Sequence, residues 1–286
     1  MIIDFHTHTF PEKISEKVVN NLAKESCTKP FTNGSISGLL SSMKEAGLDY
    51  SVNLPVMTSP EQVEKLNSSF IQAKEELFLK GIIAFGGMHP DYAPDKIREE
   101  LLRLKSAGIQ GIKIHPAYQK YDLDHPKMMK IIDIASELDM IVITHAGIDI
   151  GIYDHDYASV KHVLKILKEI APPKLVLAHM GGWGCWEDVE RDLAGAPVYF
   201  DTAFSIGAIT PLPGHDKRPY LEENMSVENF SRMAKKHGCD KILFATDSPW
   251  QEQKDVVKLV TQSNLSDREK MLIFEKNALH LLKLHK

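Results

Sequence analysis

"MIVITHAG" at residues 140–147 and "KLVLAHMGG" at residues 174–182 share one pattern: an apolar run that ends in histidine and then glycine. Runs such as "IVIT" and "LVLA", apolar almost without interruption, belong to strands covered on both faces, as in a parallel sheet. The glycine marks the point where strand hands over to loop. Six further β-rich runs lie along the chain: "MIIDF", "YSVNLP", "GIIAFGG", "GIKIHP", "VYFDTAF" and "KILFATDSPW". Between them lie helical patterns such as "YASVKHVLKILKEI", where Val160, Val163, Leu164 and Leu167 make one apolar face. Gly47 and Gly108 follow helical stretches, in the place where glycine commonly ends a helix.

Strict alternation of strands and helices implies parallel strands joined by right-handed crossovers. Eight such units predict an α/β fold of the (β/α)8 TIM-barrel type, one domain over residues 1–286. An open doubly wound sheet is the alternative, since periodicity does not reveal closure. Two connections break the rhythm, residues 9–34 and the Pro- and Gly-rich stretch 205–225. Both leave C-terminal strand ends, so both are expected to cover a site. The tail "SDREKMLIFEKNALHLL" reads as a closing helix with Ser266 as its N-cap.

Net charge is −5 and no Lys/Arg block is present, which argues against a nucleic-acid surface. Cys27, Cys185 and Cys239 are scattered and odd in number, as expected of free thiols in a reducing compartment. No segment approaches the length of a membrane span, and no export signal is seen. A cytoplasmic protein is expected.

The predicted strand ends hold His6 and His8, then His115, His145, His179 and Asp247. A barrel gathers its site residues at this C-terminal rim. His6 and His8, two apart on a strand, point to the same side and converge. Any one of these residues is more often packing or a helix cap; five imidazoles and a carboxylate at one rim predict a metal site. Imidazole and carboxylate without thiolate suit Zn²⁺, and also Mn²⁺ or Fe²⁺. Such an ion would activate water or polarise a carbonyl. Asp247 suits proton transfer beside it, and His179 suits a hydrogen bond to the water or to a developing oxyanion.

"DFHTHTF", "THAG", "LAHMGG" and "ATDSPW" together resemble the amidohydrolase superfamily. They are most similar to the amidohydrolase-related TIM-barrel group that includes aminocarboxymuconate-semialdehyde decarboxylase-like enzymes, and the closing "EKNALHLL" extends the likeness over nearly the whole chain. The resemblance implies one metal held by His6, His8, His145 and Asp247, with His179 and Asp247 catalytic. It is compatible with a homodimer. The match loosens at "GIKIHPAYQ", where Lys113 and His115 stand in place of the bridging residue of two-metal relatives. His115 then lies near the substrate or serves a second metal, and Lys113 is a carbamylated bridge or an ion-paired interior lysine.

Tyr118, Trp183 and Trp250 follow site strands and are candidates for the pocket wall, with packing as the plainer alternative. Arg218 and His215, in the second covering loop, are candidates for recognising a substrate carboxylate, and His89 lies just past the third strand. Hydrolysis of an amide, ester or lactone of a small organic acid is the first expectation. Non-oxidative decarboxylation of a small unsaturated or aromatic acid is the alternative, because the ligand set defines a Lewis acid and not a reaction. Phosphoester cleavage ranks third, a non-enzymatic metal protein last.

Overall fold

The computed structural model describes residues 1–214 and 223–284. Among the described residues nine short strands run in chain order: β1 Ile3–Thr7, β2 Tyr50–Asn53, β3 Ile82–Ala84, β4 Gly86–Gly87, β5 Gly111–Ile114, β6 Ile141–Thr144, β7 Leu175–Leu177, β8 Tyr199–Asp201 and β9 Ile242–Leu243. β3 and β4 flank Phe85 and make one barrel position, so the eight predicted units are all present. All pairings are parallel, in the orders β1-β2-β3 and β4-β5-β6-β7-β8-β9. The second seam between these sheets is spanned by backbone hydrogen bonds: Phe5 N donates to Phe244 O (2.8 Å), Asp247 N to His6 O (2.9 Å) and His8 N to Ser248 O (2.7 Å). The architecture is of the TIM-barrel type.

Alternation along the strands sorts two apolar layers. Ile141, Ile143 and Val176 point into the barrel with Ile3, Phe5 and Leu243. Val142, Leu175 and Leu177 point outward under the helices, against partners such as Val163 and Ile166. Ala278, Leu281 and Leu282, in and just after the helix Asn277–Leu281, join the interior cluster and seal its N-terminal end. Ser266 caps the preceding helix in a capping box with Glu269, as its position suggests.

β1 departs from simple alternation. Ile3 pairs with Tyr50 and Asp4 with Ser51, but Thr7 pairs with Asn53, so β1 carries one extra residue between Asp4 and Thr7. This bulge re-aims the strand. Ile3 and Phe5 face inward, Asp4 bonds Thr246 and Gln253 in the outer layer, and His6 nevertheless joins His8 on the inside.

The first long connection holds the helix α1, Ser15–Ser26. Its return leg pairs with the second: Lys29 N donates to Thr210 O (2.9 Å) and Leu212 N to Cys27 O (3.0 Å). Phe31 N reaches Pro249 O (2.8 Å), beyond the last strand. Both connections therefore lie at the C-terminal rim. No described helix is long and apolar enough to cross a membrane.

Candidate active site

At the rim the bulged end of β1 presents His6 and His8 side by side, with Nε2 atoms 3.1 Å apart. Asp247 Oδ1 lies 3.1 Å from His8 Nε2 and 3.5 Å from His6 Nε2. Each imidazole is oriented from behind. His8 Nδ1 is 2.8 Å from Leu54 O, which can only accept, so Nδ1 donates there, and in the neutral ring Nε2 turns a lone pair to the site. His6 Nδ1 is 2.8 Å from Asp201 Oδ2, and burial drives the imidazole well below its ordinary pKa, toward the neutral form. Its Nε2 likewise turns a lone pair inward. Two imidazole lone pairs and a carboxylate oxygen thus converge, a donor set that repels itself unless a cation or proton sits among them. The residues fit a divalent ion.

Lys113 on β5 places Nζ 3.1 Å from His6 Nε2. Burial pushes its pKa down to about 8, against the pull of Asp201, Asp247 and Asp149. The lysine therefore reaches the site itself rather than stopping deeper in the barrel.

His145 and His179 stand beside this group. His179 Nδ1 donates to Ala203 O (2.9 Å), and its Nε2 lies 3.0 Å from His145 Nδ1. The ligand atoms of His145 group with those of His115 and Asp149, while His6, His8 and Asp247 form a separate trio. His115 and His145 stack at 4.4 Å, and Asp149 Oδ2 is 3.5 Å from His115 Nε2 and 4.0 Å from His145 Nε2. Burial drives both imidazoles well down and raises Asp149 to about 7.

The local backbone is unusual. His179 and Asp247 both adopt left-handed φ, 61° and 62°. Such conformations cost about 1–3 kcal/mol each and persist where surrounding structure imposes them. Here Asp201 Oδ1 accepts from His179 N (2.9 Å), and Asp247 N donates to His6 O (2.9 Å). Gly147, at φ 83°, admits the backbone of Trp183 so closely that a Cβ would lie 2.3 Å from Trp183 O. That explains the glycine after the histidine in "THAG": it lets the loops after β6 and β7 dock together.

A cavity of about 590 Å³ opens above the trio and is lined by His115, Tyr118, Trp183 and Trp250, and also by Asp149 and Lys113. Trp183 is 2% exposed and its Nε1 donates to Asn224 Oδ1 (2.9 Å), so most of the ring is packing. His89 lies outside the lining. Arg218 and His215 fall outside the described residues. Sequence reading passed over Asp149 and Asp201. Asp201 ends "VYFD" and could have been found by the strand-end rule; Asp149 lies in a loop and left no such signal.

The family model described as Amidohydrolase matches residues 3–284. The chain belongs to the amidohydrolase family. Family membership supports an enzyme of that superfamily with a divalent metal. No curated protein matches the chain significantly. Among solved structures it is similar to a 2,6-dihydroxybenzoate decarboxylase from Rhizobium, at 14% identity and TM-score 0.69, over 99% of this chain and 98% of the other. A dihydroxybenzoic acid decarboxylase from a Polaromonas species, with bound manganese and the inhibitor 2-nitroresorcinol, gives 14% and 0.71 over 100% and 97%. The 5-carboxyvanillate decarboxylase of Sphingomonas paucimobilis gives 13% and 0.67 over 99% of both chains. At these identities the amidohydrolase family member shares their fold.

Proposed function

We propose that the chain is a metal-dependent, non-oxidative decarboxylase of a small aromatic or unsaturated carboxylic acid. The observation that carries this reading is one continuous cavity with an apolar wall and a floor of converging lone pairs. The wall suits a planar apolar body, and the floor suits a cation that holds the carboxylate end. His6, His8 and Asp247, with His145 as fourth ligand, would hold one divalent ion. Manganese in the Polaromonas relative supports Mn²⁺ beside Zn²⁺, with Fe²⁺ third; a second ion would fall to His115 and Asp149. When bound, the ion supplies a Lewis acid for the substrate oxygens.

The remaining work falls to the protein. Loss of carbon dioxide breaks a carbon–carbon bond and leaves its electron pair on the ring carbon, which must take up a proton. His179, with Nδ1 held by Ala203 O, has Nε2 as the atom that moves a proton, and Asp247 shares that role. His115, Tyr118, Trp183 and Trp250 position the ring, and Arg218 is the candidate for a second polar group.

Hydrolysis is the second reading, favoured by the same floor, where Asp247 would take a proton from water. The two differ in products. Metal-loaded protein given hydroxybenzoates and lactones in ¹⁸O-water is expected to release carbon dioxide with no label in the product. Labelled product without carbon dioxide overturns decarboxylation and leaves hydrolysis standing.

A further inference from the structure

The cavity extends well beyond its polar floor. Ile14 at the N-cap of α1, and Val18 and Leu22 on it, fall at four-residue steps and line it together with Val56 and Leu66. The helix already has a packed stripe, with Val19 and Ala23 each 1% exposed. The second stripe is less covered: Ile14 is 47% exposed, and Val18 and Leu22 are half-buried. From Ile14 to Leu22 the helix rises roughly 12 Å, so the apolar wall is longer than one ring. Such surface gains by being covered, and its continuity with the floor points to the substrate as the cover.

The lining also includes the polar side chains of Thr58, Gln62 and Lys65, of which Thr58 and Lys65 are solvent-exposed. Lys65 is exposed, and among the described residues it forms no salt bridge. Of the described lining residues it is the one charged side chain away from the floor.

We infer that the substrate is an elongated dianion: one carboxylate on the floor, an apolar body of about two linked rings along α1, and a second anionic group at Lys65. The inference rests on reading the floor as a carboxylate-holding metal centre. A single-ring hydroxybenzoate would leave the α1 stripe uncovered and Lys65 without a counter-ion.

Calorimetric titration of the manganese-loaded protein with benzoate, biphenyl-4-carboxylate and biphenyl-4,4'-dicarboxylate tests it. The second ring is expected to tighten binding by about tenfold or more. The second carboxylate adds about fivefold. Val18→Asp should remove most of the first step, and Lys65→Gln should weaken the diacid more than the monoacid. Lys65 is at the surface, so that variant keeps the test alive if Val18→Asp does not fold. Three acids binding within twofold of one another, or Lys65→Gln retaining the full second step, overturns the inference. Carbon dioxide from small hydroxybenzoates with a flat affinity series removes the elongated substrate alone. An intact series with no carbon dioxide from any acid removes the decarboxylase reading alone.

Discussion

The same strands end in two different ways. Toward their N-terminal ends the barrel interior is plugged by Ile3, Phe5, Leu281 and Leu282, all apolar and each at most 3% exposed. At the other end, on the strands or a few residues past them, the plug is His6, His8, Lys113, His179, Asp201 and Asp247. The apolar end gains from burial alone. The polar end carries the cost of desolvated groups, seen in imidazoles held neutral and in the Lys113 amine pushed down to about 8. A barrel that keeps such a rim does so for chemistry, with the other end supplying stability.

Matched substitutions put the largest strain on this contrast. Asp247→Asn is expected to lower turnover on the order of a thousandfold, since the proposed function makes this residue both a metal ligand and a proton carrier. Its thermal unfolding should stay near that of the parent. Phe5→Ala, on the strand that also carries His6, should cost about 3–5 kcal/mol in denaturant unfolding. The folded fraction should still bind metal. Phe5 is fully buried and meets Phe85 edge-on at 6.1 Å. If Phe5→Ala abolished turnover while sparing stability, the division of labour between the two ends would be lost.

Histidine does not mark the functional end by itself, and His237 shows why. Its ring stacks on Phe200 at 3.7 Å, beneath the outer helices. Nε2 donates to Val198 O (3.0 Å) and Nδ1 accepts from Gly195 N (3.2 Å), so the neutral form is locked in place. Burial lowers its pKa from 6.5 to about 4. Between those values the unfolded chain binds a proton that the folded one refuses. Stability is therefore full above pH 6.5 and falls as pH drops toward 4, by about 3 kcal/mol from this group. His237→Gln should flatten that part of the unfolding-against-pH curve; an unchanged slope would show that the ring is not held neutral.

The fold and most of the rim were legible because both depend on periodicity. Continuous apolar runs ending in histidine mark strands and their exits, and residues over two hundred positions apart meet when the barrel forms. The bulge in β1 was not legible: alternation from Phe5 predicts His6 on the outer face, and only an extra residue against β2 turns it inward. Nor was the reach of Lys113, since a long side chain on the inner face spans the distance to the rim. Asp149 was missed because its place depends on loop docking through Gly147. The stretch with Arg218 lies outside the described residues.

Asp201 sharpens the contrast most finely, since it belongs to the polar end yet does not line the cavity. It is fully buried, accepting from His179 N and Ala203 N through Oδ1 while Oδ2 faces His6 Nδ1. In Asp201→Asn the amide oxygen can keep the two backbone donors, which leaves the NH₂ facing His6 Nδ1. That atom must then accept, the proton moves to Nε2, and the lone pair that completes the trio is lost. Metal affinity, read by competition with a chelator, should fall by about 10–100-fold. Unfolding of the metal-free protein should change much less, because the backbone contacts survive. Equal metal affinity in the two proteins would mean that the carboxylate serves only the backbone of His179. The polar end would then be organised by its strands and not by hydrogen bonds to its ligands.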